Sequence, residues 1–219
     1  MSTPIKIHPS ILCADHGNLA QEIKDVSKAN PDYIHVDVMD GSFVPNFGCG
    51  TEIVKCIKAH SAVSIDVHLM VDDPIKHIKL FRDLGADIIS IHPEADKQPA
   101  RTLAEIRNLG GIPGIAINPG TSVETIKELL PLCGHVLAMT VNPGYGGQPF
   151  LEYTLGKIEV LGMLAKQHEF TLCVDGGVSK HNIKKLTLLG VTSAVVGSAL
   201  FSQDDYSKAV YELREECCR

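Results

Sequence analysis

Apolar positions along this chain fall into two alternating rhythms. Short runs rich in valine and isoleucine occupy residues 6–12 (KIHPSIL), 33–38 (YIHVDV), 63–70 (VSIDVHLM), 87–92 (DIISIH), 112–118 (IPGIAIN), 135–141 (HVLAMTV), 170–176 (FTLCVDG) and 192–198 (TSAVVGS). Longer stretches with apolar residues at helical spacing lie between them, among them HGNLAQEIKDVSKA, DPIKHIKLFRDLG, QPARTLAEIRNLG and SKHNIKKLTLLG. The first kind predicts buried strands and the second predicts amphipathic helices. Gly85, Gly110 and Gly190 close three of the helical stretches, as a left-handed helix end requires. Alternation of strand and helix makes successive strands parallel, because each return crosses over through a helix. Eight such units in 219 residues predict an α/β fold, a (β/α)8 TIM barrel forming one domain over residues 1–219. A doubly wound open sheet would need a less apolar edge strand, and none of the eight runs stands apart in that way. No Pro/Gly/Ser-rich linker divides the chain.

Composition narrows the partners. The net charge is −6 and the lysines and arginines are scattered, which argues against a nucleic-acid surface. No apolar run approaches bilayer length, and MSTPIKIHPS lacks a hydrophobic signal region, so no membrane association is expected. The seven cysteines, Cys13, Cys49, Cys56, Cys133, Cys173, Cys217 and Cys218, are odd in number and contain no CxxC pair. The vicinal Cys217 and Cys218 are poorly placed to bridge each other. A reducing, cytoplasmic setting with free thiols is the expectation.

Polar residues interrupt the oily runs at their ends, and that is where a barrel keeps its chemistry. His35, Asp37 and Met39 stand two residues apart and share one face of a strand, with Ile34, Val36 and Val38 on the other. The third run repeats the pattern with Asp66, His68 and Met70. The seventh ends on Asp175, the sixth contributes Met139, and the first offers His8 and Ser10, with Ser10 nearer the top. A lone strand histidine is ordinarily a hydrogen-bonded core residue. Two imidazoles and two carboxylates converging from three strands are harder to explain that way. Unpaired in a dry site, each charge would cost several kcal/mol, on the order of what burial of an uncompensated ion demands. One divalent cation per subunit, held by His35, Asp37, His68 and Asp175, removes that cost. The N2O2 donor set suits zinc, ferrous iron, manganese or cobalt better than magnesium or calcium; Zn2+ is the expected cofactor, with Fe2+, Mn2+ or Co2+ as alternatives. Asp66, lying deeper, is expected to orient His68. Asp40, on the opposite parity, is expected to cap the loop DGSFVPN, and His92 reads as much structural as functional.

Three successive units then carry glycine clusters. NPGYGGQPF holds Gly144, Gly146, Gly147 and Gln148; DGGVS holds Gly176 and Gly177; VGSALF holds Gly197 and Ser198. Glycine lets backbone N–H groups approach an anion, and the loops after strands 7 and 8 are a common phosphate site in barrels. No Lys or Arg accompanies these glycines, so main-chain dipoles would hold the dianion.

The stretches PSIL-ADHGNL, HVDVMDGSFVPN, DVHLMVDDP, MTVNPGYGGQPF, VDGGVS and VVGSALF, running from residue 9 to 201, together resemble the ribulose-phosphate 3-epimerase family. The resemblance implies interconversion of ribulose 5-phosphate and xylulose 5-phosphate. It implies that His35, Asp37, His68 and Asp175 are metal ligands and that Asp37 and Asp175 carry protons. Ser10 and His68 would contact substrate, and Met39, Met70 and Met139 would line the cavity. Gly144, Gly146, Gly147, Gln148, Gly176, Gly177, Gly197 and Ser198 would complete the substrate and phosphate contacts. A homo-oligomer, dimer or hexamer, is also implied. Two departures are Ser42, where many relatives have His, and FGCG at residues 47–50.

The chemistry agrees with the residues. Inverting a carbon beside a ketone requires removing its proton and returning one to the opposite face, which two carboxylates can do. An epimerase of a ketohexose phosphate such as allulose 6-phosphate would need the same metal site. A metal-independent decarboxylase of the same barrel type would place a lysine in HVDVMDG or DVHLMV, and neither has one. A non-catalytic sugar-phosphate sensor would tolerate loss of a carboxylate, yet both Asp37 and Asp175 are present.

Overall fold

A computed structural model describes residues 4–218, without the side chain of Cys218. Eight parallel strands form one sheet: β1 (Lys6–Pro9), β2 (Tyr33–Met39), β3 (Ser64–Met70), β4 (Ile88–Ile91), β5 (Ile112–Ile117), β6 (His135–Met139), β7 (Thr171–Asp175) and β8 (Ser193–Val196). Their order is β1-β8-β7-β6-β5-β4-β3-β2. The ends meet through a parallel bridge between Ser10 and His35 and a bond from Asp32 N–H to Ile7 C=O of 3.1 Å, so the sheet rolls into a nearly closed barrel. All eight expected strands are present. Most are a residue or two shorter than their apolar runs.

Alternation along each strand builds two cores. Ile7, Ile34, Ile65, Ile89, Ile115, Val136, Leu172 and Ala194 point outward and are fully buried under the helices. A branched side chain of this size is worth roughly 1.5–3 kcal/mol when removed from water. The inward positions are far more polar. His8, His35, Asp66, His68, Ser90, His135 and Ser193 are all 0–1% exposed. The β5–β8 side of the lumen is filled with apolar residues, Ala116, Leu137, Met139, Val141, Cys173 and Val195.

The helices are α1 (Leu19–Lys28), α2 (Thr51–His60), α3 (Ile75–Asp83), α4 (Pro99–Asn108), α5 (Leu155–His168), α6 (Ile183–Leu188), α7 (Ser198–Phe201) and α8 (Tyr206–Cys218). Each of the longer ones buries an apolar pair at helical spacing, such as Ile23 and Val26 in α1 or Ile78 and Phe81 in α3. Gly85, Gly110 and Gly190 follow α3, α4 and α6 with φ of +90°, +76° and +97°, as expected. The β5-to-β6 return is different. Two 3-10 segments, Val123–Thr125 and Lys127–Leu132, replace an α-helix there, and Pro131 sits inside the second. Proline withholds a backbone donor, which fits a tighter turn better than a regular helix.

Strand 1 also departs from its expected span of 6–12. Pairing ends at Pro9, and residues Ile11–Cys13 form a 3-10 turn closed by Cys13 N–H to Ser10 C=O at 3.1 Å. The turn leaves Ser10 at the mouth and brings Cys13 beside it. Cys13, Cys49, Cys56, Cys133 and Cys173 are free thiols; the side chain of Cys218 lies outside the described residues. Among the described residues, no helix is long and apolar enough to cross a membrane.

Candidate active site and metal centre

Register places the site. β2 and β3 pair so that His35 lies beside Asp66, Asp37 beside His68 and Met39 beside Met70. Met139 on β6 pairs with Asp175 on β7, bringing that carboxylate to the same end of the barrel. The result is a cluster in which His35, Asp37, His68 and Asp175 each offer a ligand atom within 4.8 Å of the others. His35 Nε2 lies 3.3 Å from Asp37 Oδ1 and 3.8 Å from Asp175 Oδ2. His68 Nδ1 lies 3.2 Å and 3.8 Å from the same two oxygens. Two imidazole nitrogens and two carboxylate oxygens therefore face one point. His35 Nε2 is buried and, among the described residues, has no hydrogen-bond partner. A buried ring nitrogen without a hydrogen-bond partner, facing two carboxylates, is the arrangement a divalent cation satisfies, so the donor set fits a metal ion.

The electrostatics of the cluster follow from burial and charge. Burial works against the charged form of Asp37, but the neighbouring His35 and His68 outweigh it and hold this carboxyl well below its usual range. Asp175 goes the other way: burial first, then the charge of Asp37, push it up to about 6. Two carboxylates that close cannot both ionise freely, so Asp175 keeps its proton up to about 6. Burial opposes a charge on His35, yet Asp37 and Asp66 overcome it and raise this imidazole well above its ordinary value.

Beneath the cluster, Asp66 does not orient His68 as expected. Its Oδ2 lies 2.9 Å from His35 Nδ1 and 2.8 Å from His8 Nδ1, and His8 Nε2 lies 2.7 Å from the Ser193 hydroxyl. A buried polar chain thus crosses the barrel floor from β8 through β1 to His35. The carboxylate accepts from His35 Nδ1, which leaves Nε2 free to face the site. His68 instead meets His92, with the two Nε2 atoms 2.8 Å apart. Burial, partly opposed by Glu94, holds His92 down at about 4.

Above the cluster lies a cavity of about 550 Å3, open to solvent at its mouth. Ser10, Asp37, Asp175, Met39, Met70 and Met139 line it, so the expected methionines do wall the space over the carboxylates. The Ser10 hydroxyl donates to Asp37 Oδ2 at 2.7 Å. The glycine-rich loops supply the rest of the wall with Gly144, Gly146, Gly147, Gly176, Gly177 and Gly197, together with Gln148 and Ser198. His35 and His68 lie deeper, at the cavity floor. The Gln148 amide is spent on its own loop, donating to the carbonyls of Asn142 at 2.7 Å and Tyr145 at 2.9 Å. Gly177 has φ of +63°, and a Cβ there would stand 2.6 Å from Phe150 N, so loops 142–150 and 175–179 pack backbone to backbone.

The loop after β2 covers one side. Asp40 caps it as expected, accepting from Ser42 N–H at 2.8 Å and Phe43 N–H at 3.0 Å. Ser42 donates its hydroxyl to Asp72, tying this loop to the one after β3. Gly48 lies so close over Asp37 O that a Cβ would stand 2.6 Å from it, which accounts for a glycine within FGCG. Asn46 donates to Gly144 O and Tyr145 to Pro45 O, both at 2.8 Å, so the loops after β2 and β6 are latched across the mouth. Cys13 and Tyr145, not anticipated from the sequence, also line the cavity.

A family model described as the ribulose-phosphate 3 epimerase family matches residues 6–201. The chain belongs to this family. It is 42% identical over 218 residues to the ribulose-phosphate 3-epimerase of Synechocystis, covering 98% of this chain and 95% of that protein. It is 45% identical over 212 residues to the enzyme of that name from Helicobacter pylori strain 26695, covering 96% and 97%. Among solved structures, KGPDC from Streptococcus mutans superposes with a TM-score of 0.73 at 15% identity, covering 99% of each chain. That likeness is one of fold. The epimerase family is an isomerase family acting on carbohydrate phosphates, and the His/Asp cluster is consistent with metal-assisted catalysis in it.

Proposed function

We propose that this protein epimerises ribulose 5-phosphate and xylulose 5-phosphate, with Asp37 and Asp175 as the two proton carriers. The observation that carries the reading is the four-residue cluster at the cavity floor, in a chain whose relatives carry that name. His35, Asp37, His68 and Asp175 would hold one divalent cation, zinc by preference for the N2O2 set. Such a cation, when bound, withdraws electron density from the ketone and the neighbouring hydroxyl oxygen and balances the charge of an enediolate.

The chain's own residues account for the proton movements. One carboxylate takes the proton from C3. The C–H electron pair becomes the C2–C3 double bond, and the charge passes to the C2 oxygen. The other carboxylic acid then returns a proton to the opposite face of C3, and the ketone reforms. One ionised and one protonated acid are needed at the start, and in the metal-free cluster the opposed shifts of Asp37 and Asp175 give that pairing. Ser10, bonded to Asp37 Oδ2, fixes the carboxylate's orientation. Met39, Met70 and Met139 exclude water without offering a competing acidic proton. Gly144, Gly146, Gly147, Gly176, Gly177, Gly197 and Ser198 would receive the phosphate through the main chain, with Gln148 bracing the loop.

On this reading residues 1–219 act as one barrel domain in the cytoplasm, as a dimer or hexamer. The free thiols fit a reducing compartment. Exposed Val160 and Met163 on α5 fit a buried contact between copies. The test is elemental analysis of purified protein beside an assay on ribulose 5-phosphate. About one equivalent of metal, activity lost to a chelator and activity restored by Zn2+ are expected. A metal-free protein with full turnover would overturn the metal assignment.

A further inference from the structure

The geometry points to His92 and Glu94 as positioning residues that set the tautomer of His68, leaving its Nδ1 lone pair facing the carboxylates of Asp37 and Asp175. The inference rests on the metal reading above and concerns residues outside the four-ligand cluster.

His68 Nε2 and His92 Nε2 stand 2.8 Å apart, and both rings are fully buried. Two ring nitrogens at that distance hold one proton between them: one donates and the other accepts. A neutral imidazole carries a single N–H. If His68 offers the Nδ1 lone pair to a cation, its proton is on Nε2 and His92 Nε2 must accept it. The proton of His92 is then on Nδ1, which has no hydrogen-bond partner among the described residues and stands 3.5 Å from Glu94 Oε2, within reach of its charge. Each placement forces the next.

Glu94 is anchored for this role. Its Oε1 accepts from Asn118 N–H at 3.3 Å and from the Thr121 hydroxyl, both in the loop after β5. The Phe43 ring lies against His92 with centroids 4.7 Å apart, closing the relay off from the mouth. A path of polar contacts therefore runs from the β5 loop through Glu94 and His92 to His68. The reverse arrangement has His68 Nδ1 donating to Asp37 Oδ1 at 3.2 Å, with His92 donating from Nε2. The Glu94 charge favours a proton on the near side of His92, which is the arrangement a cation needs. Asp66 performs the same service for His35 directly, whereas His68 receives it through an intervening ring.

The test is long-range 1H–15N NMR of the 15N-labelled full chain, stripped by chelator and then titrated with Zn2+. Expected on loading are a proton on His68 Nε2, none on His68 Nδ1, and the His92 proton on Nδ1. Zinc that shifts the nitrogens of His35 and His68 while His92 keeps its proton on Nε2 overturns the relay and spares the metal reading. Zinc that moves neither His35 nor His68 removes both. Zinc affinity by chelator competition gives a second readout. His92→Phe should bind about 10–100-fold more weakly, and His92→Gln, whose carboxamide oxygen can accept the His68 proton, should recover most of the loss. Affinity unchanged in His92→Phe also overturns the proposal.

Discussion

Asp66 Oδ2 lies 2.9 Å from His35 Nδ1, on the adjoining strand and in direct register with it. The same oxygen stands 2.8 Å from His8 Nδ1, so one buried atom serves two imidazoles. Asp66→Ala strands both donors in the barrel interior, and each buried donor left unpaired costs about 1–3 kcal/mol. Asp66→Asn keeps an oxygen in place and should cost less. Urea midpoints of the two variants check this, and a silent Asp66→Ala would show that the chain across the barrel floor adds nothing to stability.

Much of this arrangement was legible in the sequence, and the part that was not has a geometric cause. Alternation in HVDVM and DVHLM is enough to put His35, Asp37, His68 and their methionines on the inner face, because side chains on a strand alternate with a period of two. Alternation does not reveal which strands sit side by side, or at what height. Residues two apart on one strand are separated by roughly 6.5 Å, whereas neighbours across a ladder are separated by roughly 5 Å. Asp66 therefore bonds His35 across the ladder and not His68 on its own strand. His92 was ambiguous for the same reason: its partner is set by the packing of β3 against β4. The 3-10 return before β6 was signalled only by Pro131.

Asp37 and Asp175 should fail in different ways. In Asp37→Asn or Asp175→Asn one carrier is gone, and loss of a positioned general acid or base costs about 10^2–10^4 in rate. With one carboxylate left, each variant should still exchange the substrate's C3 proton with solvent deuterium from one epimer only, and the two variants should prefer opposite epimers. Assays of exchange in D2O from each sugar phosphate check this. Equal exchange from both epimers in either variant would remove that residue from the relay.

Gly177 couples the phosphate reading to the loops. Its φ of +63° is costly for a residue with a side chain, and the added Cβ would press on Phe150 N at 2.6 Å and Gln148 O at 3.1 Å. The strain falls on backbone of the loop after β6, which cannot rotate away as a side chain can. Gly177→Ala should raise KM by about tenfold or more, as a displaced anchor costing 1.4 kcal/mol or more would, with a smaller loss of kcat. A kcat loss with unchanged KM would place the loops in the chemistry and not in anchoring.

The opposed shifts of the two carboxylates make the stability of the chelated protein depend on pH in a defined direction. Asp175 is raised from 3.8 to about 6 by burial and by the charge of Asp37. Between those values the folded protein keeps a proton that the unfolded chain has lost. Folding is then favoured by protons, so this contribution is fully present below pH 3.8 and lost as pH rises through 6. Asp37 and Asp66 shift downward, and their contributions are lost only as pH falls below the ordinary carboxylate range, outside this window. Asp175→Asn cannot titrate, so it should gain on the wild type in urea midpoint as pH is raised from about 4 to about 7 and hold level beyond. Asp37→Asn removes the second cause of the shift and should narrow the window from above. Zinc inverts the dependence: the cation needs the His35 Nε2 lone pair, so binding must expel any proton on the raised His35, and affinity should climb as pH rises. Zinc affinity that does not rise as pH is raised from about 6 to about 8 would mean that His35 does not surrender a proton to the cation.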